Sequence, residues 1–211
     1  MTSVTPPTPA RRESAHTPLA GTLSGPHAAQ ALVHDLVHRL TPEIIILVGM
    51  CGGLPEHGAT ETSVIVARQV TNYEPTRFRE GLSPWSPTTY RTSARITDLA
   101  NALASRNKLP DLHIVTSKDY GSGEKLIDDL ATELRGHLLA VSGDLIGFEM
   151  EGQGMLHGLW ELQRNNTIIQ ATMIKGVSDF GNGQMQENKD KRQVLATRRS
   201  VRLALEILRG Y

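Results

Sequence analysis

The sequence LIGFEMEGQGML at positions 145–156 sets the expectations for the whole chain. Its first four residues are a short apolar run typical of a strand, whereas Met155, Leu156 and Leu159 recur at the spacing of one helix face. Glu149 and Glu151 therefore lie where a strand passes into a helix. Open α/β sheets bind ligands at such junctions, and a carboxylate there can accept hydrogen bonds from substrate hydroxyls. Acidic residues also favour the first turn of any helix because of its macrodipole, and this segment alone favours that simpler interpretation.

Other buried strands are indicated by β-branched runs that end in glycine-rich or acidic loops. The clearest run is IIILV at 44–48, followed by GMCGGLP, and a second covers residues 167–176 before VSDFGNG. Shorter strands are predicted at residues 19–23, 63–70 and 112–116, and helices at residues 26–40, 92–107, 152–164 and 191–209. This alternation predicts an α/β protein with three layers, in which helices flank a largely parallel or mixed central sheet.

Three segments carry more detailed expectations. The helix at 191–209 is expected to have its arginines in solvent, with Lys191 or Arg192 reaching a substrate phosphate as the less favoured alternative. Its predicted inward-facing residues are Val194, Leu195, Val201, Leu205 and Leu208. The glycines within residues 118–127 are expected to make a turn. Residues 71–90 are expected to form a long polar loop whose aromatic side chains stack on a base, anchor the loop or form a subunit contact.

Length and composition restrict the classes of protein. The 211 residues fit one domain over residues 19–211, preceded by a Thr/Ser/Pro-rich tail at residues 1–18. Lys plus Arg and Asp plus Glu both total 22, which argues against a nucleic-acid-binding protein. Neither a membrane span nor a secretory signal is found in the sequence, so a cytoplasmic protein without membrane contact is expected. Cys51 is the only cysteine and no zinc motif is found, so no metal site is predicted.

Four segments, taken in order, resemble the nucleoside phosphorylase/nucleosidase superfamily. They are VGMCGGL at 48–54, GSGEKLI at 121–127, FEMEG at 148–152 and KGVSD at 175–179. That superfamily includes purine nucleoside phosphorylases, uridine phosphorylases and methylthioadenosine/S-adenosylhomocysteine nucleosidases. The second segment looks most like the effector-type phosphorylase-like domains found alone or fused in bacteria and fungi. The resemblance covers residues 19–208 and implies a phosphorylase-like fold that binds a purine nucleoside or nucleotide.

The resemblance also implies roles for individual residues. Asp179 would be the general acid toward N7 of the purine, and Glu151 would bind the ribose hydroxyls with Met150 packed under the sugar. Lys175 takes the place of an arginine that lies near the attacking water in nucleosidases. The full set of substrate-binding residues implied in this way is Met50, Cys51, Gly52, Gly53, Ser122, Leu126, Glu149, Met150, Lys175 and Ser178. Leu126 would contact the base.

The residues themselves leave some of these roles open. The glycine-rich turn after residue 48 can bring backbone N–H groups close to an anion or a sugar, or can simply be a tight turn that needs glycine. Its spacing is not the dinucleotide-binding pattern, so a nicotinamide cofactor is not expected. Cys51 has no histidine in a recognisable partner motif, which favours a packed small residue over a nucleophile.

The chemistry of the bond agrees with the roles of the two acids. Breaking the C1′–N9 bond builds positive charge on the ribose and negative charge on the base. A protonated Asp179 would neutralise the leaving purine as that charge develops. An ionised Glu151 would hold the sugar and favour its cationic transition state, as paired carboxylates do in glycoside hydrolysis.

The expected function is therefore cleavage of a purine N-glycosidic bond by water. Cleavage by phosphate is the first alternative and would make inorganic phosphate the co-substrate; no other cofactor is expected. No convincing set of arginines from an N-terminal loop is found for phosphate, because residues 1–18 do not resemble the strand with which the family normally begins. A non-catalytic nucleoside-binding module is the second alternative. The resemblance implies a homo-oligomer, either a dimer or a hexamer, with the loop at 73–90 as its candidate contact.

Overall fold

The structure is a computed structural model that describes residues 25–74, 87–124, 136, 138, 142–163, 169–181 and 188–211. Its helices are α1 (Pro26–Leu40), α2 (Ala94–Ser105), α3 (Gly152–Gln163) and α4 (Lys189–Gly210), with a 3-10 turn at Pro55–His57. Its strands are β1 (Ile44–Gly53), β2 (Ser63–Val66), β3 (Gln69–Asn72), β4 (Thr88–Arg91), β5 (His113–Val115), β6 (Asp119–Ser122), β7 (Leu145–Glu149) and β8 (Gln170–Asp179).

The eight strands form one mixed sheet in the order β4-β3-β6-β7-β1-β8-β2-β5. β1 and β8 run parallel along almost their whole length, from Ile44 beside Gln170 to Gly52 beside Asp179. β3, β6 and β7 are also parallel to one another. β7 meets β1 in the antiparallel sense and only at two residue pairs, Gly52 with Phe148 and Gly53 with Gly147. The three-layer α/β fold with a mixed sheet is thereby confirmed.

Two apolar clusters lie on opposite faces of this sheet. On one face, α1 and α3 contribute Val33, Val37, Met155, Leu156 and Leu159, which pack with Met173 of β8. On the other face, α2 and α4 contribute Ile96, Ala100, Leu203, Ala204 and Ile207, which pack with Ile174 of β8. The neighbouring residues Met173 and Ile174 point to opposite faces because side chains alternate along a strand. β8 is therefore buried on both sides, as its continuous apolar sequence predicts.

The prediction for the inward face of α4 is wrong. The predicted residues are 37–50% exposed: Val194, Leu195, Val201, Leu205 and Leu208. The buried residues of α4 are mostly smaller: Ala196, Ser200, Leu203, Ala204 and Ile207. The helix approaches β8 so closely that a Cβ on Gly176 would lie 2.9 Å from the Ala196 Cα. Close approach of a helix to a sheet requires small residues. A prediction of the buried face from large apolar side chains does not detect them.

Two strand predictions also need correction. Residues 63–70 form two strands instead of one, because the chain leaves β8 after Val66 and pairs with β6 from Val70 onward. Arg68 lies at this crossing point, where its Nε donates to Asp119 at 2.9 Å. Residues 119–122, expected as a turn, form the buried strand β6. Among the described residues, no helix is both long and apolar enough to cross a membrane.

Candidate active site

The junction between β7 and α3 is held by Glu149. This side chain is 6% exposed. Its carboxylate accepts hydrogen bonds from the backbone N–H groups of Glu151 and Gly152, each at 2.9 Å. A Cβ on Gly152 would overlap Met173 Sδ and lie 2.9 Å from Glu149 Oε1, so a larger residue here would displace both side chains. Glu149, predicted to bind substrate, thus serves as the acceptor for the unpaired amides at the start of α3.

Lys175 links Glu149 to Glu151. Its Nζ lies 3.2 Å from Glu149 Oε2 and 3.1 Å from Glu151 Oε2, and the residue is 3% exposed. Burial lowers the pKa of Lys175, but the two carboxylates raise it by more, so the net pKa is above its ordinary value. The cluster therefore contains one cation and two anions. The half-buried Glu151 is its member nearest to solvent, with a side chain that is 31% exposed.

Asp179 is held by its own neighbours at the end of β8. The Ser178 hydroxyl lies 2.7 Å from Asp179 Oδ2 and 3.2 Å from the Cys51 carbonyl oxygen, and the Gly181 N–H donates to Oδ1 at 3.0 Å. A hydroxyl has one hydrogen, and a carbonyl only accepts. When Ser178 donates to Cys51, a protonated Asp179 can donate to the Ser178 oxygen; when Asp179 is ionised, Ser178 can donate to it. Ser178 therefore supports both states that a general acid must adopt.

The glycine-rich end of β1 packs against side chains. A Cβ on Gly52 would overlap the Phe148 ring, and one on Gly53 would lie 2.9 Å from both Ala59 and Val177. The structure supports the simpler of the two interpretations given for this turn, namely that close packing needs glycine. Met50, by contrast, is 38% exposed and available for contact.

The Cys51 side chain lies behind the site. It is 4% exposed and accepts a hydrogen bond from the Tyr120 hydroxyl at 2.9 Å. Burial raises the pKa of the Cys51 thiol to about 12. The thiol is therefore neutral at ordinary pH and unsuited to act as a nucleophile, in agreement with a packed small residue. Cys51 contributes to the site through its carbonyl oxygen, which faces Ser178.

β6 adds Ser122 next to the same junction. Ser122 is fully buried, and its hydroxyl accepts a hydrogen bond from the Gln153 N–H at 3.0 Å. Tyr73, one of the aromatic residues expected in the 71–90 loop, is 1% exposed and packs on Gly123. It anchors the chain instead of capping a ligand from solvent. Leu126 and residues 75–86 lie outside the described residues.

The structure thus brings most of the predicted residues to one edge of the sheet. Register places Gly49 beside Lys175 and Gly52 beside Asp179, so the ends of β1 and β8 carry both groups of side chains. The glutamates come from the end of β7, which meets β1 through Phe148. The ion pairs made by Lys175 depend on this sheet arrangement, and no sequence pattern indicates them.

Comparison with known proteins identifies the family. The family model described as "Phosphorylase superfamily" matches residues 15–209. The chain belongs to the phosphorylase superfamily. Membership of this superfamily places the protein among nucleosidase- and phosphorylase-type enzymes, as the resemblance implied. A search of curated proteins found no match.

Solved structures share the fold of this phosphorylase-superfamily protein. A methylthioadenosine/S-adenosylhomocysteine nucleosidase from Neisseria meningitidis, bound to methylthio-immucillin-A, is 16% identical to this chain, with a TM-score of 0.73. The match covers 89% of this chain and 78% of the nucleosidase chain. The Streptococcus pneumoniae enzyme bound to 8-aminoadenine is 16% identical with a TM-score of 0.70 and the same coverage. Futalosine hydrolase of Helicobacter pylori is 14% identical with a TM-score of 0.71, covering 89% of this chain and 76% of its own.

Two cavities are candidates for the substrate site. One of about 130 Å³ lies beside Asp179 and is lined by Glu61, Val177, Ser178, Asp179, Phe180, Arg192, Leu195 and Arg199. A larger one of about 660 Å³ lies between β4 and α3 and contains none of the predicted site residues. We assign the candidate site to the smaller cavity because it adjoins the proposed acid. Glu61 and Arg199 were not among the predicted site residues. Arg192, Leu195 and Arg199 do recur at the spacing of one helix face.

Proposed function

We propose that this protein hydrolyses the N-glycosidic bond of a purine nucleoside or nucleotide. The observation that carries the proposal is that two acidic side chains are each held in place at the ends of β7 and β8, the two strands that flank β1. Asp179 is held by Ser178 and Gly181, and Glu151 is held by Lys175. The names of the similar structures, nucleosidases and a hydrolase, support the same class of reaction.

In this proposal Asp179 protonates the leaving base. Its proton goes to N7 of the purine as the C1′–N9 bond breaks, and the electron pair of that bond stays with the base. Water then forms a bond from its oxygen to C1′ and releases one proton to the solvent, which yields free base and ribose. Ser178 then turns its hydrogen toward the carboxylate that remains. The Gly181 N–H also stabilises that carboxylate, so the acid is held in place throughout the step.

Glu151 accepts hydrogen bonds from the ribose hydroxyls. The Lys175 ammonium, whose Nζ lies 3.1 Å from Glu151 Oε2, holds this carboxylate in position. Because Glu149 shares the same ammonium, the cluster keeps one excess negative charge. That charge stabilises the positive ribose of the transition state.

The same charge favours water over phosphate as the nucleophile. Lys175 is a buried cation beside β7 and α3. Its positive charge is already balanced by the carboxylates of Glu149 and Glu151. A phosphate anion placed beside this cluster would be repelled, whereas a water molecule would not. Phosphorolysis, and with it a glycosyltransferase activity, is the alternative that the test below separates. A cytoplasmic location and a homo-oligomer remain predictions from the sequence.

The test is release of free base. The protein is incubated with adenosine, inosine, methylthioadenosine and ATP, each with and without inorganic phosphate, and the base is resolved by chromatography. Release without phosphate is the expected result. Release only with phosphate would show that the nucleophile is assigned wrongly. No release from any substrate would favour a non-catalytic nucleoside-binding protein.

A further inference from the structure

The outer face of α4 carries an exposed apolar stripe. Val194, Val201, Leu205 and Leu208 are 37–50% exposed, whereas the buried residues of the helix lie on the side that packs on the sheet. Together with Arg198, these four residues follow one another at alternating intervals of four and three positions. This is the heptad spacing with which one helix packs along another. The stripe therefore has the spacing of a helix-binding seam.

One edge of the stripe is basic. Its exposed cations are Lys191, Arg198, Arg202 and Arg209. The opposite edge carries the uncharged side chains of Gln193 and Thr197. The whole of α4 contains seven basic and two acidic residues, a net charge of +5, although the net charge of the full chain is zero. The positive charge of the protein is thus concentrated on this helix, and its exposed part lies along one side of the seam.

Arg198 differs from its neighbours because it has no carboxylate of its own. Arg202 forms an ion pair with Asp111, and Arg209 forms one with Glu206. Arg198 makes no ion pair with any residue that the structure describes. It also occupies a position of the heptad seam, so a helix that covered the stripe would cover Arg198 as well. Burying this charge is unfavourable unless the covering helix brings a carboxylate to it.

We propose that this face of α4 binds an amphipathic helix of a partner protein, with an apolar seam and an acidic edge. The stripe from Val194 to Leu208 corresponds to about four helical turns, which sets the length of the partner helix. A groove of about 460 Å³ beside Val201 and Leu205 accommodates side chains of its seam. One carboxylate of the partner faces Arg198, and further carboxylates follow the basic edge.

Charge and composition distinguish this partner from two other occupants. A second copy of α4, packed antiparallel, would place its own basic edge against the first, which is unfavourable. An anionic lipid surface would also attract the cations. However, helices that lie in a membrane surface commonly use tryptophan or phenylalanine on the apolar face, and the stripe contains only valine and leucine. The alternating spacing and the groove also suit a helix better than a lipid surface.

The experiment uses the full chain and two synthetic peptides of three heptads each. Both have leucine at the seam positions, and their flanking positions carry either glutamate or lysine. Binding is measured by fluorescence anisotropy of the labelled peptide. We expect the wild-type protein to bind the glutamate peptide more tightly than the lysine peptide. Arg198→Glu should weaken binding of the glutamate peptide by about 10- to 100-fold, as expected for loss of a close charge pair across an interface.

The control is Arg91→Glu. It makes the same change of charge at an exposed position on β4, at the far edge of the sheet from β8, and should bind both peptides like the wild type. Val201→Gln should weaken binding of both peptides, because it makes the seam polar. Circular dichroism establishes that each variant is folded before its binding is compared.

Several outcomes would overturn the proposal. The first are no binding of the glutamate peptide, equal binding of the two peptides, or the same affinity in Arg198→Glu as in Arg91→Glu. An oligomer that Val201→Gln converts to a monomer, seen by light scattering, would show that a second copy covers the stripe. Sedimentation of the wild type, but not of Arg198→Glu, with vesicles of phosphatidylcholine and phosphatidylserine would assign the face to a membrane surface.

Discussion

The Lys175 side chain balances the buried carboxylate of Glu149 and the half-buried carboxylate of Glu151, so its removal leaves the two facing each other. Lys175→Met should lower the free energy of unfolding by about 3 kcal/mol, as expected when one partner of a buried ion pair is lost. Chemical denaturation monitored by circular dichroism measures the change. Part of the loss should be recovered in acid, where the carboxylates bind protons. A variant as stable as the wild type at neutral pH would show that the ion pairs contribute little.

The pH dependence of stability follows from the raised pKa of Lys175. A cation whose folded pKa exceeds its unfolded value of about 10.5 stabilises the protein fully below that pH, and the contribution is lost as pH rises through the folded pKa. The Lys175 contribution should therefore be constant through neutral pH and decline only above 10.5. Denaturation midpoints of the wild type and Lys175→Met, measured over this range, should converge at alkaline pH. A constant difference would contradict the assignment.

In the proposed reaction, Asp179 is the residue that donates the proton to the leaving base. Asp179→Asn keeps the shape and can still bond Ser178 and Gly181, but it cannot deliver a proton to the base. Base release should fall by about 10²- to 10⁴-fold, the usual contribution of a general acid. Binding of the substrate, measured by calorimetry, should change little. Turnover that survives the substitution would remove Asp179 from its proposed role.

Cys51 should be inert while the protein is folded. Its burial and its pKa of about 12 leave almost no thiolate at neutral pH. Because it is the only cysteine, iodoacetamide labelling followed by mass spectrometry has a single site to report. We expect no label on the native protein and complete labelling in denaturant. Rapid labelling of the native protein would contradict the packing of Cys51 beneath the site.

At the scale of elements, α4 packs closely on β8. A Cβ on Gly176 would overlap the backbone of Ala196. Gly176→Ala should therefore force the helix away from the strand and lower stability by about 1–3 kcal/mol, the cost of overpacking. Gly210→Ala is a matched control, because the nearest atom to its Cβ is 3.7 Å away. Equal melting temperatures for the two variants would contradict the close approach.

The same contact shows what sequence alone could predict. β1 and β8 were recognisable because strands buried on both faces have continuous apolar sequences, whereas the roles predicted for Glu151 and Asp179 came from the family resemblance. The buried face of α4 could not be predicted, because tight packing buries Ala196, Ser200 and Ala204 and leaves larger residues exposed. The partners of Lys175 were equally hidden, since Glu149 lies 26 positions away and only the sheet brings the two together. Glu61 reaches the cavity by the same kind of long-range contact.

At the scale of the whole molecule, the exposed apolar residues of α4 form a surface that contact with another subunit could bury. Val194, Leu195, Val201, Leu205 and Leu208 are all more than a third exposed. The sequence predicts a homo-oligomer, and apolar surface of this kind is compatible with one. Light scattering coupled to size exclusion should give the mass of a dimer or hexamer of the 23.1 kDa chain. A monomeric mass at assay concentrations would reject that prediction.

The two residue pairs that join β7 to β1 are a narrow seam between two four-stranded halves of the sheet. Glu151 follows the last strand of one half, and Asp179 ends a strand of the other. Under the proposed function, a nucleoside held at its sugar by Glu151 and at its base by Asp179 would span the seam. Lys175 already spans it from the opposite direction through its two ion pairs. Substrate that bridges the halves would stiffen the sheet, and slower hydrogen exchange at Gly52 and Leu54 would be its signature.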